Sequence, residues 1–275
     1  MLMTLKVRLY PNADQTVLIE KHFGACRYMY NHFLEVRSRY YAENTKRKGL
    51  SAFDTINMLP PLKKEMPWLN EINSQSIQQV LIKLNNSFTA FFRKNAGYPN
   101  FWSKNGNQYF IVPSGFKVNG NRLITPKFPD GIKYRDKSPI PENIKQIIVT
   151  KDVDRYYASI QYEIKKEMPK GAVGIDMGIR SFITTSGGLK IEPLNALRKK
   201  EKMLKRQQRK LSRKRKGSMN RKKQIMKVQK IYQQVSDARK DFNHKVSSAI
   251  AKHCGIRGLG HQRNGGESQA CKGHN

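Results

Sequence analysis

Asp176 is the side chain whose neighbours look most like a chemical site. The stretch Ala172-Val173-Gly174-Ile175-Asp176-Met177-Gly178-Ile179-Arg180-Ser181 ends an apolar, β-branched run in a carboxylate, and a glycine follows two residues later. That order predicts a buried strand delivering Asp176 to a sheet end, then a tight turn into a second strand over Ser181 to Thr185. Gly178 would let the chain reverse without steric strain. Gly187-Gly188 closes the next turn before Leu189 to Ile191. A carboxylate so placed could hold magnesium, and cutting a phosphodiester with two metals needs several carboxylates around ions about 4 Å apart. The same Asp-x-Gly spacing also describes an ordinary turn aspartate. Both readings stay open on these ten residues.

The second chemistry is cationic. Residues 198–230 hold seventeen Lys or Arg and one acid, Glu201. A solvated basic helix or a disordered tail would have such a composition. Leu204, Leu211, Ile225, Val228, Ile231 and Val235 recur often enough to predict folded helices instead, with Lys216-Gly217-Ser218 turning one into the next. A basic helical hairpin can track a phosphate backbone, and its binding would weaken steeply with salt as counterions are released. Lys205, Arg206, Arg209, Lys210, Arg213 and Lys214 are the candidate phosphate contacts. Tyr98, Phe101 and Trp102 could stack on bases or simply pack. Asp237 and Asp241 lie on the basic helix and are not expected to bind metal.

Composition agrees with that chemistry. The 275 residues carry 53 Lys or Arg against 20 Asp or Glu, a formal charge of +33 and a pI near 10.2. That excess predicts polyanion binding. Twelve Tyr and twelve Phe lie among the cations, as suits RNA or single-stranded DNA. No apolar run approaches the ~18 residues of a membrane-spanning helix, and no signal-peptide core opens the chain, so a cytoplasmic nucleic-acid binder without a membrane partner is expected. Cys26, Cys254 and Cys271 lie far apart and predict neither a disulfide framework nor a zinc site.

The elements that must position these residues read as follows. Met3 to Tyr10 alternates as a half-exposed strand. Pro11-Asn12 stops it, and Asn12 with Gln15 resembles a capping box, so a helix should start near Ala13 and run to about Lys46, with a possible break near Gly24. A second helical stretch, Ala52 to Glu65, is broken by Pro60-Pro61. A third, Ser74 to Lys94, sets Ile77, Val80, Leu81, Leu84, Phe88, Phe91 and Phe92 on one stripe, read as core. Strands return from Gln108. Asn119-Gly120 marks a hairpin within Phe116 to Ile124. Ile144 to Thr150 and Tyr156 to Lys165 form another pair. The fold class is α+β and multidomain: a small β-barrel with an inserted helical block, then the Asp176 hairpin and the long basic helices.

In sum the motifs resemble the TnpB family, the OrfB proteins of insertion sequences, relatives of the type V CRISPR effector nucleases. Arg8-Leu9-Tyr10-Pro11 with Gln15 resembles the family's opening, and Gly24, Arg27, Tyr30 and Asn31 the pattern after it. Tyr98-Pro99-Asn100-Phe101-Trp102-Ser103-Lys104 resembles its Pro-x-Phe-Lys-Ser motif, with Trp102 where lysine is usual. Gly174-Ile175-Asp176-Met177-Gly178 resembles the start of its RuvC nuclease domain, of the ribonuclease-H-like kind. Leu211-Ser212-Arg213-Lys214 and Arg239 through Lys245 match its basic helices. The resemblance runs from Arg8 to about Lys252. It implies an RNA-guided DNA endonuclease whose guide RNA and target DNA are its partners and whose RuvC site works with magnesium. It implies a wedge-like barrel over 1–11 and 106–168, a helical recognition block over 12–105, and the first half of RuvC over 169–253.

The chain departs from that pattern after Lys252. The family supplies a glutamate in a Glu-Asp-Leu motif, a zinc ribbon and a late aspartate, whereas here only Asp176 matches a RuvC carboxylate. Residues 254–275 are glycine-rich and aperiodic. Synonymous codons exist for which their shifted frame reads VELEDLDIKGMVENHKLAKAI, which resembles the missing segment. A frameshift near codon 253 or 254 is therefore expected, leaving a truncated chain that binds nucleic acid without functional magnesium, zinc or cleavage. The alternatives are a basic RNA- or DNA-binding protein without catalysis and a regulator that occupies targets without cutting them. Half a RuvC sheet would also leave an exposed apolar edge.

Overall fold

Leu5, Val7 and Leu9 alternate with Lys6 and Arg8, and this two-residue period makes β1 (Leu2–Tyr10) a strand with one face turned inward. The computed structural model describes residues 2–43, 49–135, 140–141, 143–163, 173–178 and 181–253. The chain divides into two compact units, Met1–Lys166 and Glu167–Asn275. The tail expected to be out of frame lies outside the described residues.

In the first unit β1 is followed by α1 (Ala13–Glu43), α2 (Ala52–Asn57), α3 (Leu59–Glu65), a 3-10 turn (Pro67–Glu71) and α4 (Ser74–Phe92). The strands β2 (Tyr109–Val112), β3 (Lys117–Asn119), β4 (Arg122–Thr125), β5 (Phe128–Arg135), β6 (Ile144–Asp152) and β7 (Arg155–Glu163) come after. With β1 they form one antiparallel sheet in the order β2-β6-β7-β1-β5-β4-β3, in which β1 pairs with β7 and β5. The barrel strands expected from sequence are in this sheet. Its outer strands, β2 and β3, are not paired with each other among the described residues.

The capping box forms: the Gln15 amide donates to Asn12 Oδ1 at 2.8 Å and the Asn12 amide to Gln15 Oε1 at 3.2 Å. The helix then passes Gly24 unbroken. A helical glycine costs only about 1 kcal/mol, and the burial of Phe23, Ala25 and Cys26 on either side outweighs it. Pro60-Pro61 does not break a helix either. The break falls at Met58, and the prolines occupy the first turn of α3, where a missing N–H loses no bond.

The helices share a core with the sheet. Ile19, Phe23, Met29 and Phe33 of α1 and Ile77, Leu81 and Leu84 of α4 pack with Val7, Leu9, Phe110, Leu123, Ile147 and Ile160 of the strands. His22 is wholly buried among them. The amide of Asn73, the cap of α4, donates to its Nε2 at 3.1 Å, so Nδ1 carries the hydrogen and donates to Leu18 O at 2.8 Å. Not all the α4 stripe is core: Phe88 is buried, Phe91 half-buried, and Phe92 is 59% exposed beyond the last turn of packing.

The second unit holds β8 (Ile175–Asp176), β9 (Ile183–Thr185) and β10 (Lys190–Ile191), then α5 (Ala196–Ser212) and α6 (Met219–His253). Ile183 packs with Val246 and Ile250 of α6, and Leu204 of α5 with Val228 and Ile231 of α6.

Candidate nucleic-acid interface

Among the described residues β8 pairs with β9 alone, Ile175 opposite Thr185 and Asp176 opposite Thr184. It is an edge strand, so the buried strand expected there is instead exposed at both residues. Gly178 works differently from expectation too. Its φ is not left-handed. Its amide donates to Ser181 O at 3.1 Å, and a Cβ would stand 3.3 Å from that oxygen, a tight approach that a side chain could make only if the turn gave by a few tenths of an ångström. Gly188 does take a positive φ of 81° and closes the β9–β10 turn. Thr184, opposite Asp176, has its Oγ1 3.1 Å from Ser181 Oγ, and Ser186 Oγ accepts from the Gly174 amide at 3.2 Å. Among the described residues no three His, Cys, Asp or Glu side chains gather as metal ligands. That donor set does not fit a magnesium pair.

The basic hairpin is built from its own small core. Leu204, Val228 and Ile231 are buried against one another, with Leu211 beside them. Gly217, at φ 84°, makes the reversal, and the Arg221 guanidinium ties it by donating to Leu211 O and Lys214 O, both at 3.1 Å. Buried Gln224 donates to Gln207 O at 3.0 Å and Oε1 at 2.9 Å. These contacts turn the cations outward. Lys205, Arg206, Arg209, Lys210, Arg213 and Lys214 are all exposed. Lys205 pairs with Glu201 at 2.7 Å. Arg206 with Lys210 and Arg209 with Arg213 stand one helical turn apart with like charge, an arrangement that destabilises a free helix. An aligned polyanion would relieve it.

Tyr98, Phe101 and Trp102 do not form one platform. Trp102 is held in place: its amide donates to Asn31 Oδ1 at 2.6 Å, its carbonyl accepts from Asn31 Nδ2 at 3.1 Å, and its Nε1 donates to Asn107 O at 2.9 Å. The half-buried ring meets Tyr30 edge-on at 5.8 Å and Tyr109 at 4.7 Å. Tyr98 instead meets Phe88 and Phe91 edge-on, its hydroxyl 2.6 Å from Ser38 Oγ. Phe101 is 65% exposed. The loop is fixed further by Gln108, which donates to the carbonyls of Ser103, Lys104 and Gly106 and accepts from Arg27 at 2.6 Å. Lys83 donates to the Tyr109 hydroxyl and lies 4.3 Å from its ring centre. Burial lowers the Lys83 pKa and raises that of Tyr109. Sequence reading missed this pair, because twenty-six residues separate its members and no local pattern joins them.

Comparison with known proteins identifies relatives. A family described as "Probable transposase" (OrfB_IS605) matches residues 147–265, and one described as "Helix-turn-helix domain" (HTH_OrfB_IS605) matches residues 1–46. In the structure that second stretch holds β1 and α1 among its described residues, not two helices about a turn. "Putative RNA-guided DNA endonuclease InsQ" of Escherichia coli (strain K12) is 31% identical over 258 residues, covering 92% of this chain and 64% of that protein. A "Putative RNA-guided DNA endonuclease" of Streptomyces pristinaespiralis is 33% identical, covering 90% of this chain and 63% of that protein. The chain thus spans a little under two thirds of their length. Of solved structures, "Cryo-EM structure of the Cas12f1-sgRNA-target DNA complex" matches at 18% identity over 92% of this chain and 70% of that one, with a TM-score of 0.32, too low to define a shared fold.

Proposed function

This chain belongs to the TnpB/OrfB family of insertion-sequence proteins, and on that premise we propose that it binds guide RNA and target DNA while its 275 residues do not by themselves cut DNA. The binding half rests on α5 and α6, whose core and capping contacts hold six candidate cations outward, with one ion pair, Lys205 to Glu201, among the described residues. Phosphates neutralised there would release counterions, which makes binding sequence-tolerant and salt-sensitive. Sequence reading would then fall to base pairing by the guide, as in other RNA-guided systems. The RuvC reading of β8 to β10 rests on the motif around Asp176.

The non-cutting half rests on donor count. Asp176 is the one residue of the chain matched to a RuvC carboxylate, and two-metal cleavage needs several. The test incubates the purified chain with labelled RNA and duplex DNA in magnesium. Salt-sensitive binding without DNA products is expected. Magnesium-dependent products that vanish in Asp176→Ala, or no binding at low salt, would overturn the reading. A binder that uses no guide is the second reading, favoured by cations that need only a backbone to track. Guide-dependent retention of a chosen DNA separates the two.

A further inference from the structure

The chain carries three Asn-Gly steps, Asn105-Gly106, Asn119-Gly120 and Asn264-Gly265, the last outside the described residues. At such a step the backbone can turn on its own side chain. The amide nitrogen after the asparagine attacks the side-chain carbonyl carbon, and a glycine there has no Cβ to hinder the approach. The two described steps are built differently. At Asn105 the nucleophile is tied down. The Gly106 amide donates to Ser103 O at 3.2 Å, and the Asn105 amide donates to Ser103 Oγ at 3.2 Å. Gln108 Nε2 holds Gly106 O at 2.8 Å.

At Asn119 the nucleophile is open. Asn119 ends β3, an outer strand exposed along its whole length and paired with β4. It stands opposite Arg122, so Gly120-Asn121 is the two-residue loop of the hairpin, and Gly120 takes the positive φ, 53°, that such a turn requires at its first position. Among the described residues nothing accepts from the Gly120 amide, and no atom lies within 4 Å of the place a Gly120 Cβ would take. Buried Tyr134 of β5 clamps the loop by its carbonyls: its hydroxyl donates to Gly120 O at 2.9 Å and its amide to Asn121 O at 2.9 Å. In a strand, ψ of about +135° points the next nitrogen away from the side chain, so ring closure has to wait for the hairpin end to open.

We propose that Asn119 is a deamidation site of the folded chain, with water as the co-reactant and the Tyr134 clamp setting the rate. The Gly120 nitrogen bonds to Asn119 Cγ, the Cγ–Nδ2 bond breaks, and ammonia leaves with the proton that the Gly120 amide gives up. Water then opens the cyclic imide at either carbonyl, giving aspartate or isoaspartate. An aspartate faces Arg122 directly across the strand pair, an opposite-charge contact. An isoaspartate routes the backbone through the side-chain carbon, and the added atom breaks the two-residue loop. β3 has no second neighbour in the sheet among the described residues, so that product loses the hairpin end.

The test incubates the full chain, folded and in denaturant, at mildly basic pH and follows Asn105 and Asn119 by peptide mass spectrometry. The denatured chain gives the intrinsic rate of each step. Folding should slow Asn105 more than Asn119. Tyr134→Phe should speed deamidation at Asn119 about fivefold, the weight of one net hydrogen bond in a local opening, and leave Asn105 unchanged. Asn119→Gln should remove the product at that turn. The inference fails if folding protects Asn119 as much as Asn105 or more, or if Asn119 gives no product in the folded chain while the denatured chain reacts. It fails equally if Tyr134→Phe, folded by circular dichroism, deamidates at the wild-type rate. The comparison of the two asparagines uses the wild type alone, so it decides the matter without the variant.

Discussion

Asn31 and Trp102 clasp each other: the Trp102 amide donates to Asn31 Oδ1 at 2.6 Å, and Asn31 Nδ2 donates back to the Trp102 carbonyl at 3.1 Å. One side chain on α1 thus satisfies both backbone groups of a residue seventy-one positions away. Arg27, one helical turn earlier, holds Gln108 at the loop's far end. The two motifs around Asn31 and Trp102 are therefore one structural device. Asn31→Ala should cost about 1–3 kcal/mol by stranding a part-buried amide. Denaturant midpoints measure the loss, and faster hydrogen exchange at the Trp102 amide locates it.

His22 predicts a pH dependence. Burial pushes its pKa down to about 4, the bond to Leu18 O opposing this and Lys127 adding to it. The folded state therefore favours the neutral ring, while the unfolded chain takes up a proton near its ordinary value of about 6.5. The stability from this group is present above pH ~6.5 and is lost as pH falls from there toward ~4, by about 3 kcal/mol in all. Unfolding midpoints between pH 7 and pH 4 should fall accordingly, and His22→Gln should flatten that part of the curve.

Among the described residues two that are not glycine sit at left-handed φ, Val153 at 58° in the β6–β7 turn and Lys94 at 59° after α4. Lys94 occupies the place where helices usually put glycine: its amide bonds Phe91 O, and the Asn95 amide bonds Ala90 O. Val153→Asn and Lys94→Gly should each stabilise by about 1 kcal/mol, because the left-handed strain disappears. Thermal midpoints of the single variants, and their sum in the double variant, test this.

Asp176→Ala should change little. The carboxylate is exposed on an edge strand, so stability should shift by roughly 0.5 kcal/mol or less. RNA affinity should stay within about twofold, since the residue adds no positive charge to the interface. A large loss of RNA binding in this variant would give Asp176 a role that its surroundings do not suggest.

Local chemistry made much of this legible. The Asn12–Gln15 box set the start of α1, the period of the α4 stripe found Ile77, Val80, Leu81, Leu84 and Phe88, and Asn119-Gly120 gave the β3–β4 turn. What escaped was decided by distant packing. β5 was missed because Pro129-Asp130-Gly131 reads as a turn, yet β4 pairs with it on both sides of Gly131 and β1 pairs with its last three residues. Tyr98, Phe101 and Trp102 look equivalent in sequence, but only Asn31 on α1 settles that Trp102 packs. The outward Arg206, Lys210 and Arg213 were legible because Leu204 and Leu211 fix the helix phase.

The salt dependence of RNA binding by the intact chain, compared with Arg206→Gln/Lys210→Gln/Arg213→Gln, tests the central claim most directly. A steep wild-type slope that falls by about 2 in the variant, at about 0.7 per lost single-strand phosphate contact, is the predicted result. A wild-type affinity that does not change with salt, or a variant whose slope and affinity match the wild type, would contradict it.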